Sequence, residues 1–82
     1  MSSELLEYKY DTLASLYWMP CTIEELSQRD FCKHLPLWYI HTILSGLERA
    51  GLLFQRKDGV YKARKIKARI ELNKRGYGID DY

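Results

Sequence analysis

"IHTILSGLERAGLLFQRKDGVYKA", residues 40–63, contains the two changes of pattern that decide the fold. Ile40, Leu44 and Leu47, flanked by Ile43 and Ala50, recur at the spacing of one helix face, and Gly51 stands where a left-handed residue would close that helix. Beyond Gly51 the period falls from 3.6 to 2. Leu52-Leu53-Phe54 runs into Arg56-Lys57, and Asp58-Gly59 is a strong two-residue hairpin turn. The central unit is therefore a regular helix followed at once by a basic hairpin.

Upstream, Leu6, Tyr10, Leu13, Leu16 and Tyr17 fall on one stripe and predict a first helix over 3–18, ended by Met19-Pro20 because proline disfavours a helical residue before it. "TIEE" at 22–25 is a capping box, in which Thr22 and Glu25 satisfy each other's backbone amides. It opens a second helix over 22–30 with Ile23 and Leu26 inward, preceded by a brief extended link at Cys21-Thr22. Pro36 is well placed as the first residue of a third helix over 36–50. Downstream, Ile66, Ala68, Ile70 and Leu72 alternate with Lys65, Lys67, Arg69 and Glu71, which in a strand would put the apolar four on the core. Ala63, Ile66 and Ile70 also make a helical stripe of good helix formers. The strand reading is preferred, giving a wing over 52–72 and a tail over 73–82. The expected fold is α+β: three helices followed by a basic β-hairpin wing in a single domain over 1–82, without repeats or linkers.

Composition and charge narrow the function classes. With 82 residues, 46% hydrophobic and 29% charged, the chain suits one small globular domain rather than a disordered tail. No apolar run approaches the roughly 18–20 residues that span a bilayer. The opening "MSSELLEYKYD" is acidic and does not read as a secretory signal, so a cytoplasmic chain with reduced thiols is expected. The net charge of +2 conceals an asymmetry: residues 1–32 carry six acids against Lys9 and Arg29, a balance of −4, and residues 33–82 carry eleven bases against five acids, a balance of +6. One side of such a fold either faces an anionic partner, nucleic acid being the commonest, or is a solvated basic surface.

"TIEELS" followed by "ILSGLERAGLL" and a charged hairpin resembles the winged helix-turn-helix of small prokaryotic and phage transcription regulators. In that family the recognition helix ends in a leucine, two to four residues and Gly-Leu, as "LERAGLL" does here. "RIELNKRG" at 69–76 is similar to the Leu-Thr-x-Lys-Gly ending of the wing in regulators of the PadR and MarR types, with Asn73 where threonine is usual. The resemblance covers about residues 12–76. It departs from the family in the first turn of the third helix, where "LPLWYIH" replaces small polar residues. It implies sequence-specific binding of double-stranded DNA by a regulator, a repressor or accessory factor, that reads the major groove with helix three and lays a wing on the backbone or in the minor groove.

The residues expected to do this follow from about 100° per helical residue. With Ile40 inward, Trp38, Thr42, Ser45 and Arg49 point nearly opposite, with His41 beside them. Thr42 and Ser45 can bond base edges or phosphates, Arg49 a phosphate or guanine, and His41 offers a donor. Trp38 can stack on a sugar, contact a thymine methyl, anchor a protein partner, or fold back onto Leu35 or Tyr39. Arg56, Lys57, Lys62, Arg64, Lys65, Lys67 and Arg69 supply cations on the wing, although lysines there also keep an edge strand from pairing. Lys33 and His34 are placed to touch the backbone before helix three, as the family's turn residues do.

Cys21, Cys32, His34 and His41 could serve zinc, but their spacing lacks any Cys-x-x-Cys or His-x-x-x-His pair, so no metal or cofactor is expected. No nucleophile, base and orienting acid form a set, and no enzyme activity is expected. A homodimer is expected, since one recognition helix reads only a few base pairs. Its candidate interface is helix one, with Tyr8, Tyr10, Tyr17 and Trp18, together with the tail "GYGIDDY"; the same aromatics could instead complete the core. The alternative function is a winged helix that binds protein through the aromatic start of helix three.

Overall fold

Residues 3–79 are described by the computed structural model, with side chains from residue 7 onward. The chain forms α1 (Ser3–Trp18), α2 (Ile23–Ser27), α3 (Leu37–Arg49), β1 (Leu53–Gln55), β2 (Tyr61–Ala63) and α4 (Lys65–Lys74). The side chain of Leu6, counted in the α1 stripe, and residues 80–82 of the tail lie outside the described residues. α1 is the spine of the core. Leu13 and Leu16 are fully buried, Tyr10 and Tyr17 nearly so, and the helix packs against α3, α4 and β2. No helix among the described residues is long and apolar enough to cross a membrane.

The capping box opens α2 as its sequence predicts, with the Glu25 amide donating to Thr22 Oγ1 at 3.2 Å and the Thr22 amide to Glu25 Oε1 at 3.0 Å. The helix is shorter than the expected 22–30. Beyond Ser27 the chain tightens into i→i+3 turns from Glu25 to Gln28 and from Leu26 to Arg29. Arg29 then ties this turn to the end of α1, donating to the Met19 carbonyl at 2.7 Å and to the Ser15 hydroxyl. Pro36, expected as the first helical residue, is instead the extended N-cap of α3 (φ −68°, ψ 152°), and its carbonyl accepts from Tyr39 and Ile40.

α3 buries Ile40, Ile43, Leu44 and Leu47. Its end explains the switch in period. Gly51 (φ +76°) donates to the Glu48 carbonyl at 3.0 Å, and Leu52 donates to the Leu47 carbonyl at 3.0 Å. This is a Schellman closure, with Leu47 and Leu52 both buried, and it turns the chain directly into β1. β1 and β2 pair antiparallel, Leu53 with Ala63, Phe54 with Lys62 and Gln55 with Tyr61. Cys21 adds an isolated bridge to Tyr61, exchanging hydrogen bonds of 2.7 and 3.3 Å, which ties the α1–α2 link to the hairpin.

Two further expectations are corrected. First, the turn is not a two-residue one. Among the described residues no side-chain-bearing residue has positive φ, which excludes the type I′ geometry; Arg56 donates to Val60, Gly59 donates to Arg56, and Gly59 (φ +91°) closes a three-residue loop. Second, the wing does not extend over 52–72, and there are four helices rather than three. The hairpin ends at Ala63, and residues 65–74 are helical. The apparent alternation separates into two helical stripes, Ala68 with Leu72 buried in the core and Ile66 with Ile70 exposed. Ala, Lys, Arg, Glu and Leu favour this helix, and Ala68 and Leu72, one turn apart, dock it on α1.

Candidate nucleic-acid interface

The surface of α3 opposite its core stripe is built by the same periodicity that buries Ile40, Leu44 and Leu47. His41, Thr42, Ser45 and Arg49 are all exposed and, with Gly46, line one shallow depression. Gly46 was not singled out from sequence, though its position four residues after Thr42 puts it on that face; without a Cβ it leaves the floor open, and nothing stands within 4 Å of where one would be. The Thr42 hydroxyl donates to the Trp38 carbonyl at 2.9 Å, so outward it is an acceptor, suited to an amino-group donor. Trp38 is 68% exposed and Leu37 48%. The Trp38 ring meets the edge of Tyr39 at 5.6 Å, which is the fold-back contact considered from sequence, yet most of the indole stays in solvent.

The cations divide into three groups. Arg56 and Lys57 stand in the hairpin loop, where Arg56 pairs with Asp58 at 2.6 Å. The Val60 amide and then the Arg56 guanidinium hold the Asp58 carboxyl below its usual range. Lys62 on β2, Arg64 at the α4 N-cap and Lys67 on α4 line a groove with Phe54, whose ring lies 5.0 Å from the Arg64 guanidinium. Lys67 also reaches toward α3: its Nζ would stand 3.6 Å from a Cβ at Gly51, and the carbonyl end of a helix favours a cation there. The C-terminal end of the α3 polar face thus lies close to Lys67 of α4, through Ala50 and Gly51. Arg69 is half-buried on the same helix.

Other expected residues have partners of their own. Lys65 also lines the Phe54 groove, but its ammonium turns toward α1, donating to the Tyr17 carbonyl at 3.0 Å and lying 4.3 Å from the Tyr17 ring centre. It acts as a clasp between α1 and α4. Lys33 pairs with Asp30 at 3.2 Å across the α2–α3 turn, and His34 Nε2 is hydrogen-bonded to the Tyr8 hydroxyl at 2.9 Å. Both remain exposed in the turn just before α3. No family model, curated protein or solved structure matches this chain.

Cys21 and Cys32 are buried free thiols, and burial pushes both above the usual thiol range. Among the described residues no three of His, Cys, Asp and Glu gather into a group that could hold a metal ion. Of the α1 aromatics considered for a dimer interface, Tyr10 and Tyr17 belong to the core, Tyr8 packs against Tyr39 and His34, and Trp18 is largely exposed. In the tail, the Tyr77 hydroxyl donates to Asp11 at 2.7 Å, and Ile79 is buried with its backbone bonded at both ends to the Asn73 amide.

Proposed function

We propose that this chain is a winged helix-turn-helix domain that binds double-stranded DNA, with α3 entering the major groove and the basic hairpin and α4 cations holding the backbone. The observation that carries this reading is the depression lined by His41, Thr42, Ser45, Gly46 and Arg49, adjoining a cationic flank across the Gly51 turn. Four polar side chains around a glycine floor suit base edges and phosphates, and Arg49 in the last turn can pair with guanine O6 and N7. Lys57 and Lys62 can neutralise phosphates on the hairpin side. The order α2, turn, α3, hairpin supports the winged arrangement, as does the Cys21 bridge that fastens the hairpin to the body. Because one α3 helix would read only a few base pairs, the domain would work as a homodimer, placing two α3 helices about 34–36 Å apart on successive half-sites.

A second reading rests on Leu37 and Trp38, whose exposure at the first turn of α3 suits the anchor of a protein interface. The two readings separate on salt. Under the DNA reading, duplex affinity falls with a log–log slope of about −3 to −5 between roughly 50 and 200 mM salt, as three to five phosphates would require. Arg49→Ala then weakens cognate binding selectively, and Lys57→Ala weakens all duplexes alike. Failure to bind any duplex at low salt, with Trp38→Ala abolishing a protein contact, would replace it with the second.

A further inference from the structure

α4 has two apolar faces, and only one has a partner inside the molecule. Ala68 and Leu72 are fully buried, while Ile66 and Ile70, also one turn apart, are 67% and 49% exposed. The exposed pair continues into two grooves that share Lys67. One, between the hairpin and α4, is lined by Phe54, Lys62, Arg64 and Ile66; the other runs past Ile70 toward Leu52. Isolated exposed isoleucines are common, but two at helical spacing bordered by grooves form a strip. Its border is strongly positive. Among the described residues no ion pair forms on Lys62, Arg64 or Lys67, and the one carboxylate on the strip, Glu71, lies at its far end, paired with Lys74 at 3.5 Å.

We propose that this strip binds a short acidic amphipathic segment of a partner protein, whose apolar side chains cover Ile66 and Ile70 while its carboxylates meet Lys62, Arg64 and Lys67. The charge border selects the occupant. A second copy would bring the same cations against one another, and α4, ten residues or about 15 Å long, is far too small for the roughly 800 Å² that each partner of a stable dimer contributes. DNA would satisfy the cations and leave the isoleucines without an apolar counterpart. The strip shares Lys62 and Lys67 with the flank proposed for the DNA backbone, so duplex and acidic segment would compete for these cations, while Ile66 and Ile70 serve the segment alone.

The test uses a designed peptide with leucine at i, i+3, i+4 and i+7 and glutamate elsewhere, a lysine counterpart with the same leucines, and a scrambled glutamate peptide, each titrated into the full chain by fluorescence anisotropy. The glutamate peptide is expected to bind in the range of about 10–100 μM, more weakly as salt rises, and the other two at least about tenfold more weakly. Ile66→Ser and Ile70→Ser, both at exposed positions, should each reduce its affinity about tenfold without shifting the thermal midpoint, and Lys67→Gln should flatten the salt dependence. Equal binding of the scrambled or lysine peptide would overturn the proposal. So would loss of duplex affinity in the isoleucine variants, which assigns the strip to nucleic acid, or their conversion of a dimer to a monomer in sedimentation, which assigns it to a second copy.

Discussion

α3 and α4 end alike and differ in everything before the end. Each is closed by a left-handed glycine in a Schellman turn, Gly51 after α3 and Gly76 (φ +88°) after α4, the latter with Tyr77 donating to the Leu72 carbonyl at 3.1 Å. α3 puts four apolar residues on one face and leaves a polar face outside. α4 divides Ile66, Ala68, Ile70 and Leu72 between two faces. The first arrangement serves one core. The second serves the core with small area and presents an apolar stripe to solvent, so the position of the apolar residues, rather than their number, determines what each helix can meet.

Substitutions that separate the inner from the outer stripe test this most strongly. Leu47→Ala on α3 should cost about 2–5 kcal/mol, because the side chain is fully buried and its removal leaves a cavity. Leu72→Ala on α4 should fall in the same range. Ile66→Ala and Ile70→Ala should stay within about 0.5 kcal/mol. Urea unfolding at constant m-value measures all four. A cost at Ile66 close to that at Leu72 would mean that the outer stripe is covered within the chain, and the contrast between the helices would disappear.

That contrast also explains what could be read in advance. The α3 stripe, the Thr22–Glu25 capping box and the Gly51 closure rest on interactions within a few residues of one another, and each is found where its residues predict it. α4 was misread because two stripes, 66/70 and 68/72, interleave into a period of 2, and only docking on α1 shows which pair is buried. The surface of α3 was legible as far as direction, since 100° per residue places Thr42, Ser45 and Arg49 opposite Ile40. The partners of Lys65, Lys33 and His34 were not legible. They are Tyr17, Asp30 and Tyr8, and the first and last of these are brought into reach by tertiary packing across 48 and 26 residues of chain. Net charge identified the basic half of the chain but could not say which cations serve as internal clasps.

A smaller effect compares the two closures. Alanine at a left-handed position costs about 1–2 kcal/mol wherever it stands. Space does not add to this, since a Cβ at Gly51 would make only an ordinary contact with Lys67 and one at Gly76 would meet nothing within 4 Å. The consequences should differ in reach. Gly51→Ala strains the turn that delivers Leu52 and Leu53 to the core, so amide exchange should quicken across β1 and β2. Gly76→Ala should quicken exchange only in the tail. Gly51→Asn should recover part of the loss, because asparagine tolerates this conformation better than alanine. Identical exchange maps for the two alanine variants would show that the hairpin does not depend on how α3 ends.

The smallest effect concerns pH and acts on one closure only. Past Gly76, Tyr77 donates to Asp11, with Glu7 and Arg75 lining the same groove, and burial first, then the Asp11 hydrogen bond, raise its hydroxyl above the usual tyrosine range. In the unfolded chain the phenol ionises near pH 10, whereas in the fold it stays protonated to higher pH. The contribution of this contact is therefore fully present below about pH 10 and declines as pH rises above it, because the unfolded chain gains from ionising and the folded one does not. Alkaline titration should loosen residues 77–79 before the rest. The first signs should be a change at the Ile79 amide, which donates to Asn73 Oδ1, and a phenolate absorbance step delayed relative to free tyrosine. Tyr77→Phe should remove its share of the delayed step and leave that of Tyr61, whose hydroxyl is also raised by burial. The α3 closure has no titrating group in its hydrogen bonds, so in a Lys67→Gln variant, which removes the ammonium beside Gly51, the Gly51 and Leu52 amides should not respond over this range. If they moved together with Ile79, the two helix ends would be one cooperative unit rather than two.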